Sequence, residues 1–162
     1  MVIKENLNIC CIGAGYVGGP TMAVIADKCP QHILKVVDIN KNRISAWNDK
    51  DLTKLPIFEP GLERIIERTR NKNLFFASDI EKTIAWADII FISVNTPIKQ
   101  KGLGAGKASD LRWIEKCARQ IGLYAKNHTI VIEKSTLPVR TASTIRSILN
   151  EFSENKTFSV LS

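Results

Sequence analysis

Gly13-Ala14-Gly15-Tyr16-Val17-Gly18 stands directly after the apolar run 7–12 and opens a helix-like stretch, and no other feature restricts the fold as much. Such a string between a strand and a helix makes a turn whose first helical N–H groups and positive dipole end face an anion. Gly13 permits the sharp bend, Gly15 removes a Cβ from the path of a phosphate, and Gly18 lets the helix lie close to the sheet. Alone, the string fits an ordinary tight loop equally well. Context decides: a strand precedes it, an amphipathic stretch 20–28 follows, and Asp38 closes the next apolar run at about the expected 20-residue spacing. A carboxylate there accepts hydrogen bonds from both hydroxyls of an adenosine ribose and repels a 2′-phosphate, so the pattern points to NAD rather than NADP. Arg43 has two possible uses, contact with adenine or ribose or pairing with a 2′-phosphate. Its place a helical turn beyond the strand end favours the first.

Apolar runs alternate with helix-like stretches along the whole chain. This predicts an α/β protein with a doubly wound, mainly parallel six-stranded Rossmann sheet and helices on both faces. Strands are expected over 7–12, 33–37, 74–77, 89–94, 129–133 and 158–161, and helices over 15–28, 41–48, 61–70, 79–86, 110–125 and 138–151. Ser78 or Asp79 suits a helix N-cap, and Pro138 suits a first helical turn. Segment 49–60, with two prolines, reads as a loop, and 99–108, with three glycines and three lysines, as a mobile surface loop.

At 162 residues and 44% hydrophobic content, one domain with a sizeable core is expected. No apolar run approaches the roughly 20 residues that span a bilayer, and 1–6 is polar without a secretory core; the expectation is a cytoplasmic protein with no membrane partner. The four cysteines lack metal-ligand spacing, so no metal is expected. Cys10 and Cys11 point to opposite faces of one strand and read as core thiols rather than a disulfide. The net charge of +7 raises nucleic acid as a ligand. The lysines and arginines are spread without interleaved exposed aromatics, so a solvated basic surface that attracts anionic nucleotides accounts for the charge, and no nucleic-acid partner is expected.

Ligands of open α/β sheets bind outside the carboxyl ends of the strands. Besides the glycine turn and Asp38, those ends carry Asn95-Thr96-Pro97 and Lys134-Ser135-Thr136. Asn95 and Thr96 suit hydrogen bonds to the nicotinamide ribose, Pro97 stiffens their turn, and Ser135 and Thr136 reach the nicotinamide end or a water beside it. Singly, each reads as a turn residue bonding its own backbone; their shared edge groups them. His32 and His128 precede strands with no partner to orient them as bases. Glu133-Lys134 reads as a structural ion pair or a solvated lysine. Glu63 and Glu67, interleaved with Arg64 and Arg68, suit an exposed helix. Trp47, Trp86 and Trp113 fall in helical stretches and are expected to pack on the sheet.

Taken together, Ile9 to Pro20, Val36-Val37-Asp38, Trp47-Asn48, Pro56-Ile57-Phe58-Glu59-Pro60-Gly61-Leu62, Asn73-Leu74-Phe75-Phe76, Phe91-Ile92-Ser93-Val94-Asn95-Thr96-Pro97 and Glu133-Lys134-Ser135-Thr136 resemble the UDP-glucose 6-dehydrogenases of the UDP-glucose/GDP-mannose dehydrogenase family. The resemblance covers essentially all 162 residues. It implies oxidation of UDP-glucose to UDP-glucuronate by two hydride transfers to NAD, through a cysteine thiohemiacetal and thioester that retain the aldehyde. The NAD positions it implies are Gly13, Ala14, Gly15, Tyr16, Val17, Gly18, Asp38, Arg43, Val94, Asn95, Thr96, Pro97, Ile98, Ser135 and Thr136. Thr136 resembles a threonine that helps hold a catalytic water, whereas Ile98 departs from the hydroxyl residue expected after the proline.

By the same resemblance, the nucleophilic cysteine, its activating lysine and aspartate, and the UDP-sugar pocket belong to segments after Ser162, and none of the four cysteines matches the nucleophile. Residues 1–162 are then expected to be the NAD-binding Rossmann domain without the central helix and the UDP-sugar-binding domain, able to bind NAD without turnover. UDP-glucose and homo-oligomerisation would belong to the complete enzyme. Two other readings remain open: a free-standing, non-catalytic NAD-binding module, or a dehydrogenase for GDP-mannose or an N-acetyl sugar.

Overall fold

A computed structural model describes residues 5–98, 110–135 and 141–162. The elements are β1 (Asn8–Ile12), α1 (Gly18–Lys28), β2 (Ile33–Val37), α2 (Lys41–Trp47), a 3₁₀ turn (Leu52–Lys54), α3 (Leu62–Thr69), β3 (Leu74–Ala77), α4 (Ile80–Trp86), β4 (Ile89–Ile92), α5 (Arg112–Tyr124), β5 (Thr129–Glu133), α6 (Thr141–Asn150) and β6 (Phe158–Leu161). The six strands form one sheet in the order β3-β2-β1-β4-β5-β6, and every pairing is parallel. Parallel strands buried on both faces need no polar alternation, which is why β1 and β4 read as continuous apolar runs. The strand order reverses at β1 and β4, where the crossovers leave in opposite directions and open a crevice. The register pairs Ile12 with both Val37 and Ile92, and Ile92 with Glu133, so four strands end side by side at that crevice.

Two cores flank the sheet. Cys11 points into one, with Met22, Ala26, Trp47 and Ile66 from α1, α2 and α3. Cys10 points into the other, with Ile84, Ile114, Ile121 and Leu149 from α4, α5 and α6. The opposed thiols follow from the two-residue period of a strand, and the sheet is doubly wound, with helices on both faces.

Differences from the sequence expectation sit at element ends. Helix α1 begins at Gly18, not 15, because residues 15–17 form an entry turn in which the Gly15 carbonyl accepts from the Gly19 N–H and Val17 from Thr21. Strand β4 ends at Ile92, beyond which the chain leaves the ladder. Segment 49–60 contains one 3₁₀ turn, started by the Asp51 carboxylate accepting from the Thr53 N–H at 3.1 Å. Asp79 caps α4 by accepting from the Lys82 N–H. The expected loop 99–108 and the first helical turn at Pro138 lie outside the described residues.

Candidate functional site

The glycine turn is shaped by close approach. Gly13 has φ +111°, and a Cβ there would overlap the Ser93 carbonyl oxygen of the neighbouring segment, so a side chain is excluded by conformation and by space. Its N–H donates to the Val37 carbonyl at 2.8 Å, tying the turn to β2. At Gly18 a Cβ would collide with the Gly13 carbonyl oxygen and lie 2.9 Å from Cys11 Sγ, so α1 rests on the turn as well as on the sheet. Gly15 differs from both: among the described residues, and its two chain neighbours aside, nothing stands within 4 Å of a Cβ built there. That open space lies in front of the α1 N-terminus, where free N–H groups and the positive end of the helix dipole favour an anion.

Ala14 is fully buried behind the turn, and both of its peptide groups are engaged. Its N–H donates to Asp38 Oδ2 at 2.9 Å, and its carbonyl accepts from Trp47 Nε1 at 2.9 Å. Trp47 is itself buried and stacks on Phe76 with ring centroids 4.6 Å apart. The cradle is therefore held by β2 on one side and α2 on the other.

Asp38 sits at the end of β2 with its side chain 7% exposed. Oδ2 accepts from the Ala14 N–H and from an Arg43 guanidinium nitrogen at 3.0 Å, and Oδ1 accepts from the Asn40 N–H at 2.8 Å. Arg43 is presented from the first turn of α2, where the Asn40 side chain accepts its backbone N–H; its side chain remains 42% exposed.

A cleft of about 860 Å³ runs along the carboxyl ends of the strands. It brings together Gly13, Gly15, Tyr16 and Val17 of the turn, Asp38 and Arg43, Val94, Asn95 and Thr96 after β4, and Ser135 after β5. Ala14 and Gly18 support the turn from behind instead of forming its wall. Pro97 turns its carbonyl to the Asp110 N–H at 2.7 Å, and Ile98 is exposed away from the cleft walls. Thr136 lies outside the described residues.

The remaining walls were not anticipated. Ile39, 65% exposed, and Ile80 supply apolar surface, and α5 contributes Trp113, Lys116, Cys117 and Gln120. The 113/116/117/120 spacing is one face of a helix, a signal present in the sequence. Trp113 corrects the expectation that it packs on the sheet: it is 41% exposed at the cleft, with Lys116 Nζ 5.6 Å from its ring centroid, because Ile114, Cys117, Ala118 and Ile121 occupy the buried face of α5. Trp86 is half-buried beneath Lys35 Nζ, 4.2 Å from its ring centroid. Glu133 accepts the Ser135 N–H at 2.5 Å and so shapes the turn after β5, while Lys134 lines the cleft. Burial lifts the Glu133 carboxyl above its ordinary range, although the Ser135 N–H and the nearby Lys134 oppose the shift.

Arg43, Lys116 and Lys134 outnumber Asp38 among the charged walls, which favours an anionic occupant. Three of the four thiols are poor nucleophiles here: burial pushes Cys11 and Cys117 up to about 12, and Cys10 upward as well. His32 accepts the Leu7 N–H at 3.3 Å and His128 meets Thr157 and Ser159, structural contacts at strand starts. Among the described residues there is no group of three or more His, Cys, Asp or Glu that could hold a metal, and no helix is long and apolar enough to cross a membrane.

Known proteins with the same arrangement are recognisable. The sequence model of the UDP-glucose/GDP-mannose dehydrogenase family, NAD binding domain, matches residues 7–162. UDP-glucose 6-dehydrogenase 1 of Glycine max and UDP-glucose 6-dehydrogenase 1 of Arabidopsis thaliana are each 56% identical over 156 residues, which is 96% of this chain and 32% of theirs. Among solved structures, a GDP-mannose dehydrogenase from Pseudomonas aeruginosa superposes with a TM-score of 0.80 at 28% identity, over 95% of this chain and 35% of its own. A UDP-glucose dehydrogenase from Pyrobaculum islandicum gives a TM-score of 0.80 at 28% identity, over 95% and 34%. The chain thus spans about a third of the length of the relatives it matches.

Proposed function

Because the chain belongs to the UDP-glucose/GDP-mannose dehydrogenase family, as its NAD-binding domain, we propose that it carries the cofactor for oxidation of UDP-glucose to UDP-glucuronate. The observation that carries this reading is the pairing of open space over Gly15 with the buried Asp38 carboxylate at the adjoining strand end. The first accommodates a diphosphate, and the second offers acceptors to a ribose diol. Choice of UDP-glucose over GDP-mannose is supported by the 56% identity to the UDP-glucose 6-dehydrogenases of Glycine max and Arabidopsis thaliana.

In this reading the turn 13–18 holds the diphosphate, Asp38 and Arg43 the adenosine ribose, and Val94 to Ile98 the nicotinamide ribose. Ser135 and Thr136 serve the nicotinamide end, Thr136 beside a water. NAD, when bound, supplies the hydride acceptor for both oxidations. The cleft walls orient it and keep its phosphates against N–H groups and cations. Residues 1–162 act as a cofactor domain. The nucleophile and the sugar pocket come from sequence that the relatives carry outside the shared third, since three of the four thiols here are buried and held protonated. UDP-glucose and a homo-oligomer are the partners of that longer protein.

Calorimetric titration tests the proposal. NAD is expected to bind saturably at one site, NADP about tenfold more weakly or worse, and UDP-glucose with NAD to yield no NADH from this chain alone. Absence of saturable NAD binding contradicts the cofactor role. NADH formed in proportion to chain concentration contradicts the placement of the nucleophile elsewhere.

A further inference from the structure

We propose that Arg70 is a positioning residue for the diphosphate cradle: it fixes the end of α2 and, through it, the Trp47 indole that aims the Gly15 N–H into the cleft. The inference rests on the reading of the cleft as an NAD site.

Helix α2 has seven residues, too few to be stable alone, and the last carbonyls of a helix lack partners within it. Arg70 supplies the missing donor. It closes α3, where its backbone N–H donates to the Ile66 carbonyl, and its half-buried side chain reaches back to the end of α2. There Nη1 donates to the Trp47 carbonyl at 2.7 Å and to the Asp49 carbonyl at 2.8 Å. Among the described residues, Arg43, Arg68, Arg112 and Arg119 each pair with a carboxylate, whereas these bonds of Arg70 go to carbonyls at the negative end of a helix.

What the guanidinium holds in place is the indole. Trp47 is fully buried, stacked on Phe76, and so close to α1 that a Cβ at Gly19 would overlap its ring. Beside it, the Asn48 side chain donates to the Phe76 carbonyl at 3.0 Å, so the end of α2 is tied to β3 by Asn48 and to the end of α3 by Arg70. At the far side of the ring, Nε1 donates to the Ala14 carbonyl at 2.9 Å. That carbonyl shares a peptide plane with the Gly15 N–H, and in a planar trans peptide the two groups point in opposite directions. Holding the carbonyl on the indole therefore turns the Gly15 N–H away from Trp47, and Gly15 lines the cleft. A displaced α2 end would move the indole, free the peptide to rotate and take a donor from the diphosphate.

The test is a double-mutant cycle on the full chain, Arg70→Met and Trp47→Phe singly and together. NAD affinity is measured by calorimetry well below each melting temperature, and the Trp47 Nε1–H resonance is followed by NMR. Arg70→Met is expected to weaken NAD binding about fivefold or more and to shift the indole resonance. Trp47→Phe, which keeps a ring and loses the N–H, should weaken binding by a similar factor. The double variant should be little worse than the weaker single one, because both changes cut the same route. Arg70→Lys keeps a cation of shorter, unforked reach and should fall between wild type and Arg70→Met, at about a threefold loss. Lower stability with NAD affinity unchanged, a stationary indole resonance, or losses that multiply in the double variant overturn the proposal. Should Arg70→Met fail to fold, Arg70→Lys carries the same cycle, and wild-type affinity in that variant overturns the proposal. Failure of the wild-type chain to bind NAD overturns the reading of the cleft, and this inference with it. Wild-type binding that the Arg70 variants leave unaltered overturns this inference alone.

Discussion

The two helical layers are attached to the binding cleft in different ways. The α1–α3 layer is joined to the glycine turn by directed contacts: Trp47 donates to the Ala14 carbonyl, and Gly18 lies against Gly13. The α4–α6 layer is packed with aliphatic side chains, Ile84, Ile114, Ile121, Ile145 and Leu149, and reaches the cleft through the exposed edge of α5 and the start of α4. In the first layer, packing and ligand geometry share the same atoms, so stability and binding should change together. In the second, they should separate.

The strongest way to break this contrast is Trp47→Ala. Loss of a buried, stacked indole should cost about 4 kcal/mol in chemical denaturation and weaken NAD binding in the molecules that remain folded. Unchanged NAD affinity would show that the cradle stands without its support. Ile121→Ala is the matched change in the second layer: it should cost about 3 kcal/mol with NAD affinity unaltered below the transition. A parallel loss of binding would mean that the two layers are not distinct in this respect.

Thiol chemistry gives a smaller, site-by-site readout. At pH 7.5, an alkylating reagent should modify one thiol of the folded chain, Cys29, and all four after unfolding, because Cys10, Cys11 and Cys117 are buried and held protonated. Labelling of Cys117 at the rate of Cys29 would show that the α5 wall opens into the cleft.

Glu133 gives the smallest effect. Burial raises its folded pKa above the ordinary 4.5, so the folded state holds the proton more tightly than the unfolded chain. Its contribution is then favourable below about 4.5 and is lost as pH rises through the folded value. Glu133→Gln, which can still accept the Ser135 N–H, should raise Tm slightly at pH 7, and the gain should vanish below pH 4.5. A gain that persists in acid would contradict burial as the cause.

Much of this was legible from residue order. Apolar runs place the six strands, Gly13 and Gly18 mark the close approaches, and Asp38 marks the end of β2. What escaped were relations that a local pattern does not encode. Trp113 sits on a helix with a full apolar face of its own; its spacing with 116, 117 and 120 shows that the four share a face, yet not that this face borders the cleft. Ala14 belongs to the motif, yet its N–H turns back to Asp38; only the register of β1 on β2 brings residues 24 positions apart into contact. The Arg43 ion pair depends in the same way on how α2 leaves β2.

The account rests on a diphosphate lying over the one glycine of the turn that has free space before it. Replacing Gly15 with Ala puts a methyl group where, among the described residues other than its chain neighbours, no atom stands within 4 Å, so the melting temperature should stay close to that of the wild type. NAD titration of this variant against the wild type is the direct test. The predicted result is an unchanged fold with NAD affinity reduced about tenfold or more. A Gly15→Ala chain that binds NAD as tightly as the wild type would contradict the assignment of the turn as the cofactor's cradle.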